Sequence, residues 1–541
     1  MRTARFIGSW LAGVIALTLA VTFFVQWLRF ALGSATEATP MPLLLGMAFG
    51  VNLLVWSLVG AARLGDDSVR ALAARRRGPA RRRSRAAASS PALEGAAEPG
   101  GRAALAGAAE ADGDRVLVRS RAGGPHPGGS GGSAGWGSAE DGGREPRERA
   151  AAGGAPAAVQ APADPRRINL AVVIPAHNEE PVIDAAITSA LRLFDRWDIY
   201  VVSDSSRDAT ADIAAETGVN VLELLTNRGK AGAIEAVIEE FELTENYEGV
   251  VILDADTELD AGYVEGARRQ LGDPHVAAVA GFVVAEWKPK QRTVVGRLIS
   301  AYRDRLYWLL QYLLRFGQTW RHSSVSFIVP GFASVYRTRS LKGIDINPKG
   351  LVIEDFNMTF EVHHKRLGRI SMNPDTKAYC QDPFTMGDYV KQVRRWTLGF
   401  WQTVRRHGIW PSLFWFALFF YILEVVVVSV LLLATAALGL FTLLPPLTGG
   451  AVLEIAGYAS GYTAVTAVLP LTTILIGLFV PDYVLTCLLA TVRRRPSYLV
   501  YGLFFLPMRV IDAYLTLRTL PQAWTAKSDG RWKSPTRASG V

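Results

Sequence analysis

Hydropathy along the chain changes character four times. Residues 6–31 and 42–62 are almost unbroken apolar runs, each long enough to cross a bilayer. The first exceeds the apolar stretch of a cleaved signal, so a retained span is expected. Arg2 and Arg5 precede the pair and RRRGPARRRSR (75–85) follows it, which predicts a hairpin in residues 1–64 with both ends cytoplasmic. Residues 65–166 are mostly Ala, Gly, Pro, Arg and Ser and hold too few large apolar groups to offset chain entropy, so a disordered cytoplasmic linker is expected. At 167 the pattern shifts to short β-branched runs: NLAVVI (169–174), IYVVS (199–203), VNVLEL (219–224) and GVVIL (249–253). Stretches with helical period, such as EEPVIDAAITSALRLF and GKAGAIEAVIEEFEL, separate them. This alternation predicts an α/β domain over 167–410 whose largely parallel sheet is covered on both faces. Residues 411–520 return to apolar composition: 412–444 carry only Glu424, 462–492 are interrupted by Pro481 and Asp482, and 497–517 contain Pro507, Arg509 and Asp512. The last of these is expected to lie at the interface rather than cross, and 521–541 form a polar tail. Glu424 inside an apolar run is expected either to meet a polar group on a neighbouring helix or to line a pore.

Charge and composition add limits. The 541 residues carry a net charge of +9, which beside apolar spans reflects cytoplasmic-loop bias rather than nucleic-acid affinity. Two cysteines, Cys380 and Cys487, supply neither a disulfide framework nor a thiolate metal site.

In doubly covered sheets, ligands bind beyond the carboxyl ends of the strands. The candidates there are Pro175, Asn178 and Glu179 of IPAHNEE (174–180), Asp204 of SDSSRDAT (203–210) and Lys230 of NRGKAGA (227–233). They continue with Asp254 and Asp256 of DADTELD (254–260), Gly331 of IVPGFASVYR (328–337), and Glu354 and Asp355 of VIEDFNMT (352–359). Asp254 and Asp256, on alternate residues of an extended segment, would present two carboxylates to one ligand. Such hard oxygen donors suit Mg²⁺ or Mn²⁺ bridging to phosphates. Asp204 suits a base edge, and Lys230 suits a phosphate or a base carbonyl. Gln392, Arg395 and Trp396 of KQVRRWTLGFW (391–401) share one helix face by their i, i+3, i+4 spacing, whereas Arg394 does not. That stretch is either an interfacial anchor or a clamp, Arg395 on a diphosphate and Trp396 under a sugar ring.

Five of these elements, in this order, make the chain similar to the membrane-integrated, GT-A-fold glycosyltransferases of family 2, which include the synthases of cellulose, chitin, hyaluronan and poly-N-acetylglucosamine. The resemblance implies that Asp204 binds uracil, that Asp254 and Asp256 hold the diphosphate through the metal, and that Asp355 is the catalytic base with Glu354 beside it. Gln392, Arg395 and Trp396 match the family's QxxRW signature. Departures are Ser203 and Ser205 around Asp204, Ile353 where many members carry Thr, the long linker, and no evident cyclic-nucleotide-binding domain. The function expected is inverting transfer from a UDP-sugar, UDP-GlcNAc or UDP-glucose, to a growing β-linked polysaccharide by a multi-pass plasma-membrane enzyme. A lipid glycosyltransferase is the alternative within the same chemistry; a non-enzymatic scaffold or transporter is the alternative outside it.

Overall fold

The computed structural model describes residues 46, 48–86, 116–119 and 168–526. The first predicted span and much of the linker fall outside these residues. Within them the linker expectation needs correcting. One helix, α1 (Val51–Ala86), carries the end of the second apolar run through the arginine cluster, in keeping with the helix preference of Ala and Arg. The alternating VLVR forms β1 (Val116–Arg119), which pairs antiparallel with β4 (Asn220–Leu224).

The α/β body is built from β2 (Leu170–Ala176), α2 (Ile183–Leu191), β3 (Ile199–Asp204), α3 (Thr210–Glu216), β4, α4 (Gly229–Glu240) and β5 (Gly249–Leu253). Then come β6 (Thr257–Leu259), α5 (Tyr263–Leu271), β7 (Val276–Val279), β8 (Phe282–Ala285), α6 (Val294–Leu309) and β9 (Ala333–Arg337). The body closes with α7 (Asp355–His364), β10 (Arg369–Ser371), β11 (Lys377–Cys380) and α8 (Met386–His407). The main sheet runs β1-β4-β3-β2-β5-β9-β7-β10, and a smaller one runs β6-β11-β8. Strands β4, β3, β2 and β5 are mutually parallel; β9 is antiparallel to both β5 and β7. Alternate residues of β2 enter opposite cores. Leu170, Val172 and Ile174 pack into one cluster, and Ala171 and Val173 into the other. Burial on both faces thus explains why β2 and β5, at the centre of the sheet, are apolar at every position.

Two helices among the described residues are long and apolar enough to cross a membrane, α9 (Leu413–Leu447) and α10 (Leu471–Arg493). The apolar run 412–444 falls within one continuous helix, α9. Glu424 on α9 accepts from the backbone N–H of Asn52 at 2.7 Å and from its side-chain amide at 3.0 Å, so it serves a polar contact with α1. A last helix, α11 (Phe505–Thr525), packs along α8. Its Asp512 accepts from Tyr302 (2.8 Å) and Tyr389 (2.6 Å) of the α/β body.

Candidate active site

One cavity of about 950 Å³ opens beyond the carboxyl end of β5, at the upper end of the size range for small-molecule sites. It gathers Lys230, Asp254, Asp256, Gly331, Glu354, Asp355, Gln392, Arg395 and Trp396 from elements spread over more than 160 residues.

The two aspartates do not sit on an extended segment. The N–H of Thr257 donates to the Asp254 carbonyl (3.0 Å), so the chain makes a tight turn between β5 and β6, with Ala255 buried. The turn still presents both carboxylates to the cavity. Lys230, in the first turn of α4, contacts Asp254 at 2.6 Å and Glu354 at 3.1 Å and donates to the Gly331 carbonyl at 3.0 Å. The lysine thus joins the two acidic motifs instead of standing free for a phosphate. Burial works against its charge, but Asp254 and Glu354 prevail and hold its pKa above the ordinary lysine value. Gly331 lies in the centre of this group. A Cβ there would come within 3.1 Å of the Lys230 ammonium and 3.3 Å of a Glu354 oxygen, so a larger residue would press on both.

Glu354 and Asp355 are neighbours with opposite electrostatics. Burial opposes ionisation of Glu354, yet Lys230 outweighs it and keeps that carboxyl below its usual pKa. Asp355 is pushed up to about 7, chiefly by burial and then by the Glu354 charge. Its oxygens accept from the backbone N–H groups of Phe356 (2.7 Å) and Gly331 (3.3 Å), which fixes the carboxyl at the start of α7. A buried carboxyl poised near neutrality and facing a cavity has the character of a general base.

Four candidates lie elsewhere. Asp204 is fully buried and its carboxylate accepts from the N–H groups of Arg228 (2.7 Å) and Gly229 (2.9 Å). It is therefore committed to holding the loop that opens α4, with Gly229 at φ +76°, rather than presented to a base edge. Asn178 takes φ +54° and accepts from the Arg207 N–H at 2.8 Å, while the Glu179 N–H donates to Thr210 Oγ1 at 2.9 Å. With Pro175 in β2, these residues tie the loops after β2 and β3 together and do not line the cavity.

On α8 the predicted face is present. Gln392, Arg395 and Trp396 line the cavity, whereas Arg394 is exposed and donates to Gln522 at 3.3 Å. Arg303 on α6 was not among the residues expected at the site. It is buried, donates to Gln392 Oε1 at 2.9 Å, and places its guanidinium 4.3 Å from the Trp396 ring centroid. Gln381 and Asp382, just after β11, also line the cavity, and burial pushes Asp382 up to about 7 against the opposing charges of Arg303 and Arg292.

The donor set fits a divalent cation of the Mg²⁺ or Mn²⁺ kind. Among the described residues no group of three or more His, Cys, Asp or Glu forms a ready metal cage. Asp254 and Asp256 would hold such an ion only together with phosphate oxygens and water, which is the usual mode for Mg²⁺.

The profile of the glycosyl transferase family 2 matches residues 171–344, the segment that carries the acidic pair and Gly331. Poly-beta-1,6-N-acetyl-D-glucosamine synthase of Staphylococcus epidermidis is 24% identical over 259 residues, 44% of this chain and 57% of that protein. The chain thus spans little more than half of that relative's length. Among solved structures, a mannosyltransferase of Pyrobaculum calidifontis in complex with GDP-Man and Mn²⁺ aligns over 58% of this chain and 88% of its own, at 21% identity and a TM-score of 0.39. Residues 1–349 of S. aureus TarS, in complex with UDP-GlcNAc, align over 67% of this chain and 95% of that one, at 15% identity and a TM-score of 0.31. The profile and the motif order lead to one conclusion: residues 171–344 form a glycosyltransferase domain that matches family 2.

Proposed function

We infer that the enzyme transfers a hexosyl unit from a UDP-sugar, UDP-GlcNAc or UDP-glucose, to the end of a β-linked glycan at the membrane. The observation that carries this reading is the meeting of the acidic pair, the Glu354–Asp355 pair and the Gln392–Arg395–Trp396 face in one cavity. The Staphylococcus relative, a poly-GlcNAc synthase by name, supports the choice of donor and product. In the reaction an acceptor hydroxyl attacks the anomeric carbon while Asp355 takes its proton. The new carbon–oxygen bond forms as the bond to the β-phosphate breaks on the opposite face, and UDP departs with the electron pair. One displacement inverts configuration, so an α-linked donor yields a β-linkage. Arg395 stabilises charge on the departing diphosphate, and Lys230 fixes the acidic residues around it. Asp254 and Asp256 would hold a divalent ion, which would supply further neutralisation of that charge. Trp396 offers the apolar face of an indole to the C–H side of the acceptor's terminal ring.

The test is to purify the full chain in detergent, supply each UDP-sugar in turn with Mg²⁺ or Mn²⁺, follow UDP release, and size the product. A β-linked oligomer from one donor is expected. Absence of transfer from every UDP-sugar would overturn the reading.

A further inference from the structure

The cavity holds more than the transfer chemistry uses. Its lining also runs along α6 and its continuation and onto the third and fourth turns of the span α9. Its walls there are Leu306, Leu310, Leu314, Phe327, Phe400 and Val425. Into this apolar limb comes one cation. Arg315 ends a π-helical continuation of α6 (Leu310–Arg315) and lines the cavity, half-buried. Neither a hydrogen bond nor an ion pair satisfies its guanidinium among the described residues. The titratable groups that face it are Tyr421 of α9, Asp355 at the start of α7 and Tyr307 of α6. Other buried arginines in this half of the molecule are paired: Arg305 contacts Asp482 at 2.8 Å, and Arg303 donates to Gln392. A guanidinium beside leucines with no counter-ion contact keeps its donors open to a ligand in the cavity. A guanidinium in such surroundings suits a ligand that is anionic at one point and apolar next to it, and its planar fork matches a phosphate.

We propose that the limb lined by Leu306, Leu310, Leu314 and Val425 binds the apolar chain of a phosphate-bearing lipid, with Arg315 on the phosphate. Such a lipid is then the membrane-borne acceptor on which the glycan is begun. That second statement rests on the transferase function inferred above; the binding site does not. Tyr421 and Val425 belong to the span itself, so a chain lying in this limb is continuous with the level of the bilayer. The phosphate would sit on the Asp355 side of the cavity, across from the diphosphate groups that Arg395 faces.

The experiment measures equilibrium binding of radiolabelled decyl phosphate to the full-length protein in a neutral detergent. Decanol and inorganic phosphate are added as competitors in separate arms. Saturable binding is expected, weakened at least about tenfold in Arg315→Gln, the scale of one lost charge-assisted contact. Arg315→Lys should keep most of it. Decanol and inorganic phosphate should each compete poorly. Equal affinity in the wild type and Arg315→Gln overturns the proposal, as does competition by inorganic phosphate as strong as that by unlabelled decyl phosphate, which would mean a free-anion site. UDP binding is measured on both variants. Its loss in both would make Arg315 a structural residue and overturn the proposal too. Decyl phosphate binding without sugar transfer from any donor would instead uphold the site and remove the transferase reading.

Discussion

Asp355 differs from its neighbour in protonation, and that difference sets a pH dependence. Its pKa of about 7 lies well above the ordinary carboxyl value because burial and the Glu354 charge both disfavour ionisation. Below that pH the carboxyl is already protonated and is too weak a base to take the acceptor's proton. Transfer measured as kcat/KM should therefore rise with pH through about 7 and level above it. Asp355→Asn should flatten that rise and lower transfer at least about 10²-fold, the range lost with a general base. UDP affinity, measured by titration of the same protein, should hardly change, because the nearest cation, Lys230, bonds to Asp254 and Glu354 rather than to Asp355. A parallel loss of UDP binding would make Asp355 a structural or nucleotide contact. Asp256 has a different duty. It lines the cavity as the second carboxylate of the acidic pair, so Asp256→Ala should abolish transfer, and excess EDTA should do the same to the wild type until Mg²⁺ or Mn²⁺ is restored. Full activity in EDTA would remove the metal from the scheme.

At the scale of elements, α8 decides between an anchor and a clamp. The helix starts from Thr385, which accepts from the Asp388 N–H at 3.1 Å, and buries Tyr389, Val393, Leu398 and Trp401 against α11 and its neighbours. The cavity side carries Gln392, Arg395 and Trp396. Arg303 supports that side from beneath by stacking on Trp396 and bonding Gln392. Trp396→Ala should shorten the product sharply at near-normal UDP affinity, and Arg394→Ala should do little, since Arg394 meets only Gln522. Near-normal product length from Trp396→Ala would return the stretch to an anchor. The face of α8 was legible because i, i+3, i+4 spacing is local. The strands and their acidic ends were legible for the same reason: β-branched runs bounded by polar residues announce themselves. Arg303 was not. In VVGRLISAYRDRLYWL its neighbours Asp304 and Arg305 look like a solvated face, and only the packing of α8, α10 and α11 buries them. Asp482, Arg509 and Asp512 in apolar runs were the available signal, since charges there need partners. Asp204 misled in the other direction. A carboxylate after a strand serves a ligand or a helix start equally well, and sequence does not say which N–H groups reach it.

For the whole molecule, the contacts at the ends of the spans constrain how the chain crosses a bilayer. A hydrocarbon core of about 30 Å needs about 20 helical residues, which both α9 and α10 exceed. The chain leaves the catalytic body at His407 and runs out along α9. Its return is fixed by pairing: Arg493 at the end of α10 meets Asp304 of α6 at 2.7 Å, and Arg495 meets the same carboxylate at 3.2 Å. The far end of α10 is therefore beside the catalytic body, which predicts that residues 448–470 form the turn of a two-span hairpin. The same topology predicts that α11 does not carry the chain across. Along it, Trp401 donates to the Thr516 carbonyl at 3.1 Å, and at its end Gln402 donates to the Ala526 carbonyl at 3.0 Å, both from α8. The chain thus leaves α11 next to α8, on the side of the catalytic body. Nucleotide sugars are cytosolic, and arginines cluster at 75–85 and 493–495, so that side should be the cytoplasm. The prediction is read by labelling intact cells with a membrane-impermeant maleimide, on a background in which Cys380 and Cys487 are replaced by serine. Ser460→Cys, exposed in the turn between α9 and α10, should label from outside. Ser130→Cys, in the stretch before the catalytic body, should label only after the membrane is permeabilised. Labelling of Ser130→Cys in intact cells would invert the orientation and separate the catalytic cavity from its donor.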